Sequence, residues 1–312
     1  MIVARVLFSV LLSALVWTAN AETPYIFSSD GPSQEWRDVA MAADGSIRAG
    51  VVNNGHIWVF TDSSSSWTEK TGVTGASKSW TTIAMSTDGS KMAAAGSSTS
   101  IWTSEDSGST WSEHGGFFPG ARSWEDIAMS SDGTKIAAVV SSGDIWTSSD
   151  SGSSWSSARP SGNTEDWKTI AMSSDGSRVV AAIHNGEMYL SSDYGSSWTA
   201  SAAGSGGWTD IASSADGSKL TVAVQNCCCC PGNIWTSSDY GASWGEVTSA
   251  SGRTWWRNIA MSSDGLYQAA VVYGYRSGHI WTSSDYGATW SQVCSAFGGM
   301  NRRCRMRTHC ES

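Results

Sequence analysis

The feature that most constrains this chain is a phrase it repeats. Ile280-Trp281-Thr282-Ser283-Ser284-Asp285-Tyr286-Gly287-Ala288-Thr289-Trp290 has four clean copies upstream, with Asp106, Asp150, Asp193 and Asp239 at the Asp position. Gly108, Gly152, Gly195 and Gly241 follow two residues later, and Trp111, Trp155, Trp198 and Trp244 close the copies. A worn copy, Thr61 to Trp67, keeps Asp62 and Trp67 but has Phe60 in place of Ser and Ser64 in place of Gly. The apolar Ile-Trp-Thr run reads as a strand. Ser-x-Asp-x-Gly supplies a carboxylate that can accept backbone N–H bonds within a turn and a glycine that permits positive φ. The closing Trp starts the return strand and covers the turn.

A second phrase alternates with the first. Trp36, Trp80, Trp124, Trp167, Trp208 and Trp256 each open a segment of the type Trp-x-x-Ile-Ala-Met-Ser-Ser-Asp-Gly, with its Asp at Asp44, Asp88, Asp132, Asp175, Asp216 and Asp264. Successive opening Trp lie 44, 44, 43, 41 and 48 residues apart, a period in the range of propeller blades. Four strands fit one period: the Trp-x-x-Ile-Ala-Met segment, an apolar strand after the Asp-Gly turn, the Ile-Trp-Thr strand, and one begun by the closing Trp. Hairpin pairs such as Asn54-Gly55, Ser142-Gly143 and Asn185-Gly186 join the second to the third. The expected fold is all-β, a six-bladed β-propeller of four-stranded antiparallel blades at residues 36–293. Residues 22–35, around Tyr25-Ile26-Phe27, are expected to supply an N-terminal closing strand that, with the tail after Trp290, locks the first and last blades; the alternative is a seven-bladed ring in which the two termini combine into a degenerate blade.

The S-x-D-x-G-x-x-W phrase resembles the Asp-box, or BNR repeat, of sialidases, sortilin-type receptors and other β-propellers. The resemblance covers residues 36 to 290. It implies that Asp62, Asp106, Asp150, Asp193, Asp239 and Asp285 are structural and that the boxes lie on the face opposite the ligand site. Sialidases of this superfamily use an Arg triad, a Tyr nucleophile assisted by Glu, an Asp acid/base and an early Arg-Ile-Pro motif. This sequence has no Arg-Ile-Pro, and a nucleophile pair of Tyr273 or Tyr275 with Glu187 has no motif to support it. A non-catalytic member is therefore expected, with a sialidase-like glycoside hydrolase as the alternative.

Residues 1–21 have the three parts of a secretory signal: Arg5, an apolar run from Val6 to Val16, and Ala19-Asn20-Ala21. The run is too short for a membrane span, which needs about 20 apolar residues. A secreted, extracellular protein is expected. The net charge of −9 is mostly turn chemistry, and an acidic chain with no basic stripe is a poor nucleic-acid binder. The seven Cys fall in two places: Cys227, Cys228, Cys229 and Cys230, and then Cys294, Cys304 and Cys310 in an Arg-rich tail, residues 294–312. In a secreted chain they read as disulfides stapling the tail to the loop, the odd one pairing with another chain in a disulfide-linked oligomer or staying free. The alternative metal site is poorly served by four adjacent Cys. No cofactor and no metal are expected.

The expected ligand site is the ring of opening Trp, with small polar residues two positions on: Asp38, Thr82, Asp126, Thr169, Asp210 and Asn258. Indoles beside hydrogen-bonding groups are what a lectin-like site for a glycan needs; the alternative is that these Trp wedge between blades. Irregular positions on the same face are further candidates: His56, Asp144, His184, Glu187, His279, the loop from Tyr273 to Gly278, and Arg37, Arg122, Arg253, Arg257 and Arg276. Three functions stand open: a binding module for a glycan or an extracellular protein, a glycoside hydrolase, and a cell-surface or wall component cross-linked through cysteines.

Overall fold

The computed structural model describes residues 34–70, 77–117, 122–225, 232–250, 255–273 and 279–293. The expected signal segment, nearly all of the closing strand, every cysteine, the Arg-rich tail and the loop at 274–278 lie outside the described residues.

The described residues form twenty-four strands and two single-turn 3-10 helices, with no α-helix. The strands fall into six consecutive modules of four, each an antiparallel meander. In the first module the strands are Trp36–Met41, Ile47–Val52, Ile57–Thr61 and Ser66–Glu69. The innermost strands of the next five are Ser79–Met85, Arg122–Met129, Trp167–Met172, Gly206–Ser213 and Trp255–Met261. The protein is a β-propeller. Neighbouring innermost strands pack side by side from the first module to the sixth, and no comparable packing of the sixth on the first is present among the described residues.

Each turn predicted from the repeats forms by the chemistry its residues supply. In the Asp-Gly turn of the second module, Ser86 Oγ donates to Asp88 Oδ1 at 2.6 Å, Ser90 N donates to the same oxygen at 3.0 Å, and Gly89 takes φ +73°. In the Asp-box that follows, Asp106 accepts from Thr110 N at 2.8 Å and Thr110 Oγ1 at 2.6 Å. Gly108 N donates to Ser104 Oγ, and the Trp111 indole N–H caps the Gly108 carbonyl. The third to sixth modules repeat this set around Asp150, Asp193, Asp239 and Asp285. The worn first copy does not: Ser64 hydroxyl bonds replace it, and Asp62 is exposed, its nearest cation Arg48 at 4.0 Å. The hairpins between second and third strands take φ of 52–54° at Asn54, Ser142 and Asn185, as a two-residue turn requires.

The core sits between modules. Each of the five large apolar clusters combines one module's small strand residues with the next module's opening Trp and Ile, as Ala49, Val51 and Ile57 do with Trp80 and Ile83. A sixth, small cluster, Ala269 and Val271 with Ala260 and Ile280, belongs to the sixth module alone. Two hydrogen-bond ladders lace the modules together. The outer one runs Ala43 N to Thr87 O, Thr87 N to Ser131 O, Ser131 N to Ser174 O, Ser174 N to Ala215 O and Ala215 N to Ser263 O, all at 2.7–2.9 Å. The inner one is built of carboxylates.

Candidate functional site

That inner ladder consists of the small polar residues two positions after each opening Trp. A register shift between Trp and polar residue, seen at Trp36/Asp38 and Trp208/Asp210, turns both side chains off the regular alternation. Asp38 Oδ2 accepts from Ile83 N at 2.9 Å, Asp126 Oδ2 from Ile170 N at 2.9 Å, and Asp210 Oδ2 from Ile259 N at 2.8 Å, each bond crossing to the next module. Thr82 Oγ1 lies 3.2 Å from Asp38 Oδ2 and 3.3 Å from Asp126 Oδ1. Thr169 Oγ1 lies 3.0 Å from Asp126 Oδ2 and 3.2 Å from Asp210 Oδ1.

Four oxygen–oxygen contacts share two threonine protons. A hydroxyl donates to one partner only, so a complete chain needs two carboxyl protons. Asp126, contacted by both threonines, holds the negative charge; Asp38 and Asp210, at the ends, hold the protons. The electrostatics agree. Burial, then the Asp126 charge, pushes Asp210 up to about 8, and burial outweighs the Ile83 N–H bond to push Asp38 up to about 7. Asp126 is also raised by burial, against four hydrogen bonds that favour its charged form. Asp38, Thr82, Asp126, Thr169 and Asp210, five of the six residues expected to read a sugar's hydroxyls, are committed to one another, and the sixth, Asn258, is exposed.

The expected indole platforms are likewise engaged. Trp36, Trp80, Trp124, Trp167, Trp208 and Trp256 are all buried, at most 8 % exposed, and the last five are wedged in the inter-module clusters. Four donate their N–H to a carbonyl at the preceding module's hairpin, such as Trp124 to Thr99 O at 3.0 Å and Trp208 to Gly186 O at 2.7 Å. The wedging alternative describes their geometry.

The irregular hairpin-face residues are dispersed. Asp144 is buried and held by Arg159 at 2.7 Å; Arg122 lies over the Trp146 ring. Glu187 is exposed and accepts from the Tyr189 hydroxyl at 3.2 Å. Tyr189 is packed edge-on against Trp167, and burial pushes its pKa up, the reverse of what a nucleophile requires. His184, Arg37 and Arg257 are exposed, His56 is half-buried, and His279 opens a third strand in the sixth module. Arg253 and Arg276 lie outside the described residues. Among the described residues no cluster of His, Cys, Asp and Glu could hold a metal, and no helix is long and apolar enough to cross a membrane.

The exposed aromatic surface is on the other face, inside the boxes. Tyr194, Tyr240 and Tyr286 occupy the position between Asp and Gly in three consecutive modules and are 49 %, 43 % and 49 % exposed. All three adopt φ of 61–62°. The second and third modules have Ser107 and Ser151 there, also at positive φ. A cation from the preceding module lies over each ring: Lys135 over Tyr194 at 5.4 Å, Arg178 over Tyr240 at 4.3 Å and Lys219 over Tyr286 at 4.8 Å. A left-handed conformation costs any residue with a Cβ about 1–2 kcal/mol, Ser and Tyr alike, and an exposed cation–π contact is worth about 0.5–1 kcal/mol. What Tyr adds over Ser here is that contact and a large exposed aromatic surface.

Beside Tyr240 a cavity of about 430 Å³ opens between the fourth and fifth modules, floored by Leu190 and Leu220 and edged by Arg178, Ser197 and Ser201. It exists where the fourth module departs from the repeat, with Met188-Tyr189-Leu190 in place of Ile-Trp-Thr. The signal for this surface is present in the sequence, as Tyr against Ser at one box position, and is obscured by the invariant residues around it.

The comparisons agree with this architecture. The profile of the BNR-Asp box repeat matches residues 280–293, the stretch that holds the last of the boxes. No sequence match is found among curated proteins. Among solved structures, the chain is similar to a GH74 enzyme of Niastella koreensis, at 21 % identity and TM-score 0.63, covering 83 % of this chain and 37 % of that one. It is similar to the GH74 xyloglucanase of Xanthomonas campestris, at 14 % identity and TM-score 0.63, covering 82 % and 45 %. It also resembles YCF48 bound to D1 peptide, at 17 % identity and TM-score 0.61, covering 82 % and 80 %. The chain spans less than half the length of the two glycoside hydrolases. These likenesses establish the fold.

Proposed function

We propose that this chain is a secreted, non-catalytic binding module for a glycan, with the arc of Tyr194, Tyr240 and Tyr286 on the box face as its contact surface. The single observation that carries the reading is that these three are the exposed large hydrophobic side chains among the described residues, kept in a backbone conformation that disfavours them. Sugar rings stack their C–H faces on aromatic rings, and a rim of serine hydroxyls with an arginine beside an apolar floor is the mixture a pyranose site uses. The acidic body favours a neutral glycan over a polyanion.

A hydrolase reading has support from the two glycoside hydrolase neighbours. Among the described residues, the cavity beside Tyr240 is lined by one carboxylate, Asp239, held in its own turn, where a glycosidase needs a pair. The box and turn aspartates are spent in turns, and Asp38, Asp126 and Asp210 lace the modules.

The test is affinity electrophoresis of the secreted protein through gels containing neutral soluble glucans, galactomannan or polygalacturonate, for wild type and the triple variant Tyr194→Ser, Tyr240→Ser, Tyr286→Ser. Serine is the residue two sister modules already carry, so folding is retained. Retardation by a neutral glycan, weakened at least tenfold in the variant, supports the reading. Equal retardation of both proteins, retardation by none of the polymers, or turnover of fluorogenic glycosides sinks it. The peptide carried by the YCF48 neighbour makes protein capture the outcome to examine next.

A further inference from the structure

The cavity of about 430 Å³ beside Tyr240 is near the small end of ligand pockets, which span about 300–1,000 Å³. It suits one sugar residue rather than a length of chain. Two residues that shape it differ from the sister modules. Leu190 stands where others have Thr103, Thr147, Thr236 and Thr282, and Arg178 where others have Lys91, Lys135 and Lys219. At the fourth-strand position where the second module has His114, bonded to Thr103 at 2.7 Å, the fourth has the smaller Ser201. The hydroxyls on the rim have already given their protons. Ser197 Oγ donates to Asp193 at 2.6 Å; Ser201 Oγ donates to the Gly241 carbonyl at 3.3 Å and accepts from the Trp244 indole at 2.8 Å. A hydroxyl has one proton, so both are left as acceptors. The charged donor of the rim is Arg178, whose guanidinium stacks on Tyr240 at 4.3 Å and makes no ion pair among the described residues. Asp239 on the same rim, and Asp193 behind Ser197, disfavour a ligand that brings a carboxylate of its own.

We propose that this cavity is a subsite for a neutral sugar residue that carries an acetyl group, an inference that rests on the glycan reading above. The acetyl methyl packs on the floor of Leu190 and Leu220, and its carbonyl accepts from the Arg178 guanidinium. The sugar ring lies against Tyr240, and a ring hydroxyl donates to Ser197 or Ser201. An acetyl group joins a small apolar end to a neutral acceptor, which is the complement of this floor and this donor. An unsubstituted sugar offers a hydroxyl in that place, leaving the leucines without a partner and costing the hydroxyl its water. An O-acetyl ester and a 2-acetamido group present the same methyl and carbonyl. Tyr194 and Tyr286 lie in the flanking boxes and meet sugars whatever their substituents, so the arc supplies general affinity and the cavity selectivity.

Calorimetric titration of the full secreted chain with matched ligands tests it. One pair is O-acetylated glucomannan and the same polymer after alkaline deacetylation; the other is tetra-N-acetylchitotetraose and cellotetraose. In at least one pair the acetylated member should bind about tenfold more tightly or better, the worth of a buried methyl and a hydrogen bond from a charged group. Which pair shows the preference separates ester from amide. Leu190→Thr, which installs the residue of four sister modules, and separately Arg178→Ala should each erase most of the preference while the unsubstituted member binds as before. Equal affinities within both pairs, with binding still lost in the triple tyrosine variant, overturn the acetyl subsite and leave the glycan reading standing. A preference that survives both variants places the acetyl group elsewhere and overturns the subsite as well. Binding of none of these ligands overturns both readings.

Discussion

Asp38 and Asp210 are carboxyls whose protons are part of the fold, and this gives the protein an unusual acid–base profile. Both are raised by burial, to about 7 and about 8, whereas an unfolded Asp titrates near 3.9. The folded state therefore binds more protons than the unfolded state between about pH 4 and pH 8. The stability these two groups supply is complete below pH 4 and is lost as pH rises through 7 and 8. The turn aspartates have the opposite sign. Hydrogen bonds from Ser86, Ser130 and Ser214, named first among their causes, hold Asp88, Asp132 and Asp216 at about 2. Their contribution is present above about pH 4 and fails as pH falls toward 2. Stability should accordingly peak in mild acid and decline toward pH 8, by on the order of a few kcal/mol from the two raised carboxyls. Asp38→Asn with Asp210→Asn should flatten the alkaline limb of a Tm-versus-pH curve, and Asp132→Asn the acid limb. A wild-type curve that rises from pH 5 to pH 8 would contradict the proton assignment.

Among the elements, the Asp-box is where sequence and structure correspond most closely, because its hydrogen bonds are local. Ser, Asp, Gly and Trp within eight residues fix the turn whatever surrounds it, and the five clean copies form alike. The worn first copy shows which residues matter: without Gly at position 64 and Ser at position 60, Asp62 has neither the turn nor the bonds. Asp150→Ala should cost about 1–3 kcal/mol, since it leaves the Ser154 N–H and the Ser148 and Ser154 hydroxyls without their acceptor. Asp62→Ala should stay within about 0.5 kcal/mol. Paired urea melts of the two variants check this; equal losses would mean that the box is not the stabilising unit. The opening Trp were harder to place from sequence. Their period identified them as equivalent, but periodicity is silent on whether a ring points into a channel or between modules. That depends on the register shift after each Trp and on the small residues around the ring, Gly50, Ala94 and Ala138 of its own module and Ala49, Ala93 and Ala137 of the preceding one, which leave room for an indole. Trp124→Ala should therefore act as a core deletion, costing about 3–5 kcal/mol.

Across the whole molecule, the period of the repeats predicted the meanders and their number among the described residues, while ring closure stayed out of reach, because closure is set by the angle between modules and no residue encodes it alone. The two ladders and the inter-module clusters make each module depend mainly on its two neighbours, as in a solenoid. An interior module such as the third has a laced neighbour on both sides, Trp124 seated behind it and Trp167 in front. The first and sixth each have one described neighbour. Opening should then begin at these two modules and advance inward, giving a gradient of local stability rather than one uniform value. Native-state hydrogen exchange in sub-denaturing guanidinium should find the slowest amides in Ile136–Val140 and Val179–Gly186. The fastest strand amides should lie in Ile47–Val52 and Gln268–Tyr273, strands of the same apolar type at the same depth. Because the four differ chiefly in how many laced neighbours their modules have, indistinguishable rates would mean that closure is as strong as any internal contact, and merged ladders of that strength would require a complete further module between the sixth and the first.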